Sequence, residues 1–152
     1  MRITILMVVL AMLAGCSKDK FTSVPQIKFV SVKPNPFVFG ASTDNTIPRL
    51  TIHLTDSEGD FGFRAGKDTS YVYVKNITVP PFKSDSLKFP DLTNAKRANL
   101  DADVEVIIKQ LMVESSRPRP KIDTLYFEVY VRDFANNKSN VIQAGPVYYI
   151  VQ

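Results

Sequence analysis

The chain has one cysteine, one histidine and no tryptophan among its 152 residues. A single cysteine excludes an intrachain disulfide and any thiolate-rich metal site, so the fold must rest on its hydrophobic core. His53, the one histidine, lies mid-strand between Thr51 and Thr55 and reads as solvated or cross-strand rather than as a general base. Also missing are a Gly-x-Ser-x-Gly elbow, a His-Glu-x-x-His helix and a phosphate-cradling glycine loop. The three closely spaced acids Asp56, Glu58 and Asp60 share one loop, which does not give the two separate carboxylates of glycoside chemistry. The composition therefore points away from an enzyme. Nor is there a long apolar run: the best, Ile3 to Leu13, falls short of the roughly 20 residues that cross a bilayer. Charge is modest. The formal +4 becomes +3 if Arg2 is lost, and it is spread along the chain. Only Arg117-Pro118-Arg119-Pro120-Lys121 is locally basic, and its prolines indicate an exposed extended loop, so no nucleic-acid partner is expected.

What the N-terminus does contain is a basic residue, an apolar stretch and then Leu13-Ala14-Gly15-Cys16. That order resembles the signal of bacterial lipoproteins, and it must be set aside before the fold is read. The resemblance implies that residues 1–15 are removed and that the Cys16 thiol carries a thioether-linked diacylglycerol, with acyl chains such as palmitate. Its first partner is then the lipid bilayer. Several acyl chains anchor firmly, since each buried methylene contributes about 0.8 kcal/mol. The plainer alternative is an ordinary secretory peptide with a chance cysteine. Residues 16–24 read as the acylated cysteine and a polar tether. Ser17 rather than aspartate after the cysteine implies the outer membrane, by resemblance to the sorting rule of enteric bacteria. Lys18-Asp19-Lys20 is similar only in part to the more acidic surface-export signals of Bacteroidota, which leaves the face of that membrane open.

From Gln26 onward the pattern is strand-like. Gln26–Lys33 alternates, with Val30 less clean than Ile27, Phe29 and Val32. Arg49–Asp56 and Thr124–Arg132 alternate clearly, and Ser70–Lys75 is a short strand. Asp103–Val113 is rich in Val and Ile, which favours strand over helix. Asn140–Val151 is broken by Gly145-Pro146, and a proline inside a strand marks an edge or a bulge. Six or seven strands between Pro-, Asn- and Gly-rich turns predict an all-β fold of two packed antiparallel sheets.

The stretch Val129 to Asn140, with Asp133, Asn137 and Ser139-Asn140, resembles the F–G hairpin of bacterial immunoglobulin-like domains. Asn137 stands where those domains often carry glycine, as a residue that tolerates positive φ. The resemblance implies one immunoglobulin-like β-sandwich over residues 25–152, on a lipoprotein of the Bacteroidota type. It speaks to fold more than to function.

Two further features bear on a site. Asp56-Ser57-Glu58-Gly59-Asp60-Phe61-Gly62 places oxygen donors at alternate positions of a glycine-containing loop, a pattern that can converge on calcium. It looks like the start of an EF-hand loop but has Phe61 in place of glycine and Lys67 in place of the closing glutamate. A different calcium geometry, in which Asp133 joins from the end of another strand, stands beside a plain turn in which Asp and Gly serve only the backbone. Asp68 is a weaker addition. Six tyrosines lie on strands (Tyr71, Tyr73, Tyr126, Tyr130, Tyr148 and Tyr149), and outward-facing ones such as Tyr126 and Tyr130 can contact glycans or proteins. The function expected is that of a membrane-anchored, non-catalytic binding or accessory module for a protein or glycan. The alternatives are a structural subunit of an outer-membrane assembly and, more remotely, a small hydrolase.

Overall fold

The computed structural model describes residues 21–40, 43–63, 69–89 and 98–152; Cys16, Lys67 and Asp68 lie outside the described residues. Eight strands account for most of the regular structure: β1 (Gln26–Lys33), β2 (Phe37–Val38), β3 (Arg49–Asp56), β4 (Tyr71–Asn76), β5 (Ser84–Lys88), β6 (Leu100–Ile107), β7 (Lys121–Arg132) and β8 (Ile142–Val151). Two short 3-10 turns, Asp44–Thr46 and Lys109–Leu111, complete it. Among the described residues no helix is long and apolar enough to cross a membrane.

The strands form two sheets, β1-β3-β6 and β2-β8-β7-β4-β5, antiparallel throughout except that β2 runs parallel to β8. Alternation decides which side of each strand is buried. In β3, Leu50, Ile52 and Leu54 are fully buried while Thr51, His53 and Thr55 face outward. In β7, Leu125, Phe127, Val129 and Val131 are fully buried and face the first sheet across one continuous core. His53 takes a cross-strand role on the outer face of the first sheet, with Nδ1 2.9 Å from Asp103 and Nε2 3.1 Å from Asp101 on β6.

Departures from strict alternation have local causes. The register of β1 against β3 shifts between Phe29 and Ser31, so Val30 bulges outward and Val32 returns to the core. The uneven apolar pattern of that strand is the signature of this bulge. β8 runs through Gly145-Pro146 unbroken, and the register against β7 shifts between Leu125 and Phe127. Gly145 sits at φ +131°, and a Cβ there would stand 2.9 Å from the Leu125 carbonyl oxygen, so glycine alone fits this close approach.

Two sequence expectations need correction, and one strand was not foreseen. The strand expected over Asp103–Val113 is instead Leu100–Ile107. Ile108 and Leu111 are buried because the chain turns beneath the core, where the Asn76 side-chain amide donates to the Leu111 carbonyl at 3.1 Å. β5, of sequence SDSLK, has no apolar alternation because it is an edge strand paired only with β4 and largely exposed. In the β7–β8 turn the residue with positive φ is Asn136 (φ 67°), not Asn137. Asn137 serves as a donor instead, as its contacts with Asp133 show.

Candidate functional site

The acidic loop leaves the end of β3 and is fixed at both ends. Phe61 plugs it into the core, its ring 5.0 Å from that of Phe89. The Gly59 N–H donates to Asp56 Oδ2 at 2.6 Å, closing a tight turn with Gly59 at φ 60°. The Phe134 N–H donates to the Asp60 carbonyl at 3.0 Å and the Ala135 N–H to Asp60 Oδ2 at 3.3 Å, which stitches the loop to the β7–β8 turn. Asp133 has both oxygens occupied, Oδ1 by the Asn137 N–H at 2.7 Å and Oδ2 by the Asn137 side-chain amide at 2.8 Å. The loop also meets the segment before β1, because the Ser57 N–H donates to the Thr22 carbonyl at 3.0 Å. This pole of the molecule is therefore the one where the chain enters from its N-terminal segment.

The structure brings Asp56, Asp60 and Asp133 into one electrostatic neighbourhood and leaves Glu58 out on the exposed side. Burial pushes the Asp56 carboxyl up, and the charges of Asp60 and Asp133 push the same way against the Gly59 N–H. Burial raises Asp60 as well, followed by repulsion from Asp133. Asp56 is fully buried, and its Oδ1 has no hydrogen-bond partner. Asp60 Oδ1 and Ser70 Oγ share that condition, and these are the buried side-chain oxygens without a partner among the described residues. Leaving a buried polar atom unpaired costs about 1–3 kcal/mol, and more for a charged one. Ser70 stands just before β4, and its N–H donates to the Gly62 carbonyl at 2.9 Å, which joins it to the end of the acidic loop. Sequence reading missed Ser70, since a serine before a strand carries no signal of its own. Among the described residues no three Asp, Glu, His or Cys side chains come together as a ready-made metal cage.

The second region is the outer face of the five-stranded sheet. Tyr73 on β4 pairs with Tyr130 on β7, and the two rings stack at 4.6 Å and 8°. Tyr71 leans on Tyr73 at 6.3 Å, and Lys138 Nζ sits 4.2 Å over the Tyr130 ring. Beside them runs an open trough of about 610 Å³ lined by Tyr73, Lys75, Ser86, Glu128, Tyr130 and Lys138. Tyr126 shares this outer face but not the trough. Its N–H donates to Thr78 Oγ1 at 2.7 Å, and its ring packs against Gly145. Tyr148 is exposed toward the far end of β8, and Tyr149 points inward.

The basic segment is largely offset by two acids that flank it. Arg117 pairs with Asp123 at 2.6 Å, and Arg119 and Lys121 both pair with Glu114. Hydrogen bonds from Arg119 and Lys121 hold the Glu114 carboxyl down at about 2, against its ordinary 4.5. A carboxyl lowered in the folded state contributes stability that is complete above 4.5 and lost as pH falls through about 2. We expect the melting temperatures of the parent chain and Glu114→Gln to differ at neutral pH and to converge on acidification toward pH 2. A gap that stays constant over that range would contradict the pairing.

Neither a protein-family model nor a curated protein matches the chain.

Proposed function

We propose that this chain is a lipoprotein of the outer membrane, held to the bilayer through acylated Cys16, whose immunoglobulin-like sandwich is a non-catalytic binding or accessory module for a protein or glycan. The strand order supports the immunoglobulin-like reading. With strands lettered A to G in chain order, β1-β3-β6 corresponds to A-B-E and β8-β7-β4 to G-F-C, while β2 carries the first strand across to the second sheet. The turn after β7 adds to it. The Asn140 side chain accepts from the Ile27 N–H at 2.7 Å and donates to the Ile27 carbonyl at 3.0 Å, tying the last hairpin to the first strand.

The observation that carries the binding role is the grouping of Tyr71, Tyr73 and Tyr130 on one sheet face beside a polar trough. Aromatic rings flanked by Lys75, Glu128 and Lys138 offer apolar contact area together with hydrogen-bond donors and acceptors, the mixture that partner surfaces and glycans require. The double variant Tyr73→Ala/Tyr130→Ala is expected to stay folded, losing about 0.5–1.5 kcal/mol for the missing ring stack. Its retention on glycan arrays, or its cross-linking to envelope neighbours, is expected to drop roughly tenfold or more, the equivalent of about 1.4 kcal/mol. Binding as strong as that of the parent chain would overturn the assignment.

A second reading, a structural subunit of an outer-membrane assembly, draws on a different patch. At the other end of the same face Val38, Ile150 and Ile122 lie in register across β2, β8 and β7, with Val38 41% and Ile122 55% exposed. Co-purification with outer-membrane proteins that survives loss of the tyrosine pair would favour this reading.

A further inference from the structure

We propose that the pole formed by Asp56, Asp60 and Ser70 is a calcium site, and that calcium there fastens the acidic loop between the two sheets at the tether end. This inference is independent of the tyrosine trough. Its first ground is the set of buried oxygens without partners, Asp56 Oδ1, Asp60 Oδ1 and Ser70 Oγ. They come from two chain segments: the end of β3 with the loop that leaves it, and the residue just before β4, whose N–H donates to the Gly62 carbonyl at 2.9 Å. Asp56 is 0% and Ser70 1% exposed, so water does not satisfy them as it does a surface carboxylate. Each carboxylate has one oxygen held by a backbone N–H and the other unmet, and leaving a buried charged oxygen unpaired is costly.

The second ground is charge. Asp133 lies close enough to repel both Asp56 and Asp60, yet its own oxygens are taken by Asn137. It therefore adds negative potential without competing as a ligand. Hard divalent cations seek this combination of two carboxylate oxygens, a hydroxyl and surplus negative field. Calcium completes its shell of 6–8 oxygens with main-chain carbonyls and water and tolerates irregular geometry, whereas magnesium demands a near-ideal octahedron.

The mechanical consequence follows from the hydrogen bonds around the pole. Ser57 joins the loop to Thr22, Ser57 also receives the Asn99 N–H, and Asp60 holds the turn after β7. A cation pinning Asp56 and Asp60 thus stiffens the junction between tether and domain.

The test uses the full chain purified in detergent, with thermal melting followed by circular dichroism and calcium binding measured by calorimetric titration. Modules that meet external calcium bind it with dissociation constants of about 10⁻⁴–10⁻³ M. Calcium at about 10 mM should therefore raise the melting temperature by roughly 4–10 °C over chelator, with magnesium doing much less. Calorimetry should give one calcium per chain. Asp56→Asn and Asp60→Asn should each melt higher than the parent chain in chelator, because the repulsion is relieved, and should lose the calcium response. Glu58→Gln, on the exposed side, should keep it. The proposal is overturned if calorimetry on the parent chain detects no calcium binding. It is equally overturned if Asp56→Asn keeps the full calcium shift, or if acidification alone raises the melting temperature while calcium does nothing, the mark of a carboxylate pair sharing a proton.

Discussion

Cys16→Ser is expected to move the protein from the membrane pellet to the soluble fraction and to abolish metabolic labelling with palmitate. On the proposed reading the thiol is the acceptor for the diacylglycerol, and a hydroxyl does not replace it. Each buried methylene contributes about 0.8 kcal/mol, so two or more acyl chains hold a protein on the bilayer and their loss leaves nothing comparable. The residues flanking Cys16, Ser17 to Lys20, are polar or charged and supply no second anchor. Melting of the sandwich should be unchanged in the variant, because β1 begins ten positions later, at Gln26. Membrane retention of Cys16→Ser would sink the lipoprotein assignment and return the leader to an ordinary secretory peptide.

The largest effect on stability is expected from Phe127→Ala. Phe127 is fully buried on β7, pairs with Asn76 of β4 and Ala144 of β8, and follows the register shift that accommodates Gly145. Removing its ring loses the transfer energy of the side chain and leaves a cavity that two hydrogen-bonded neighbouring strands prevent from closing. The cost is about 3–5 kcal/mol, against a total stability of about 5–15 kcal/mol for a domain of this kind. Ile122→Ala, five residues earlier on the same strand but 55% exposed, is the control and should change stability by no more than about 0.5 kcal/mol. Chemical denaturation that places both variants within error of the parent chain would contradict the core assignment.

The candidate sites were legible to unequal degrees. Asp56 and Asp60 stand out in the sequence because acidic residues alternate around Gly59, and Asp133 because it ends a clear strand. Their convergence needed two strand ends and a loop to meet at one pole, which no local pattern encodes. Glu58 has the same spacing as its neighbours but points to solvent, because the turn closed by Asp56 and Gly59 sends it outward. Among the tyrosines, Tyr126 and Tyr130 share a face by simple alternation. The partner of Tyr130 in the trough is nevertheless Tyr73, more than fifty positions away, set by the register of β4 on β7. Lys138 joins them only because the β7–β8 turn folds back over the Tyr130 ring.

Wherever burial repeats every second residue, the sequence by itself was sufficient. It determined the all-β class, the extents of β1 and β3 and the inward face of β7. Period-two patterning is local physics: a strand with one wet and one dry face writes that division into its own residues. Tertiary structure alone decided the rest. β5 is a strand only because β4 pairs with it, Ile108 and Leu111 are buried outside any sheet, and Ser70 matters only through what packs around it. The reason is the same in each case. Hydrogen-bond partners and unmet oxygens are properties of segments brought together from distant parts of the chain, and no single segment carries their record.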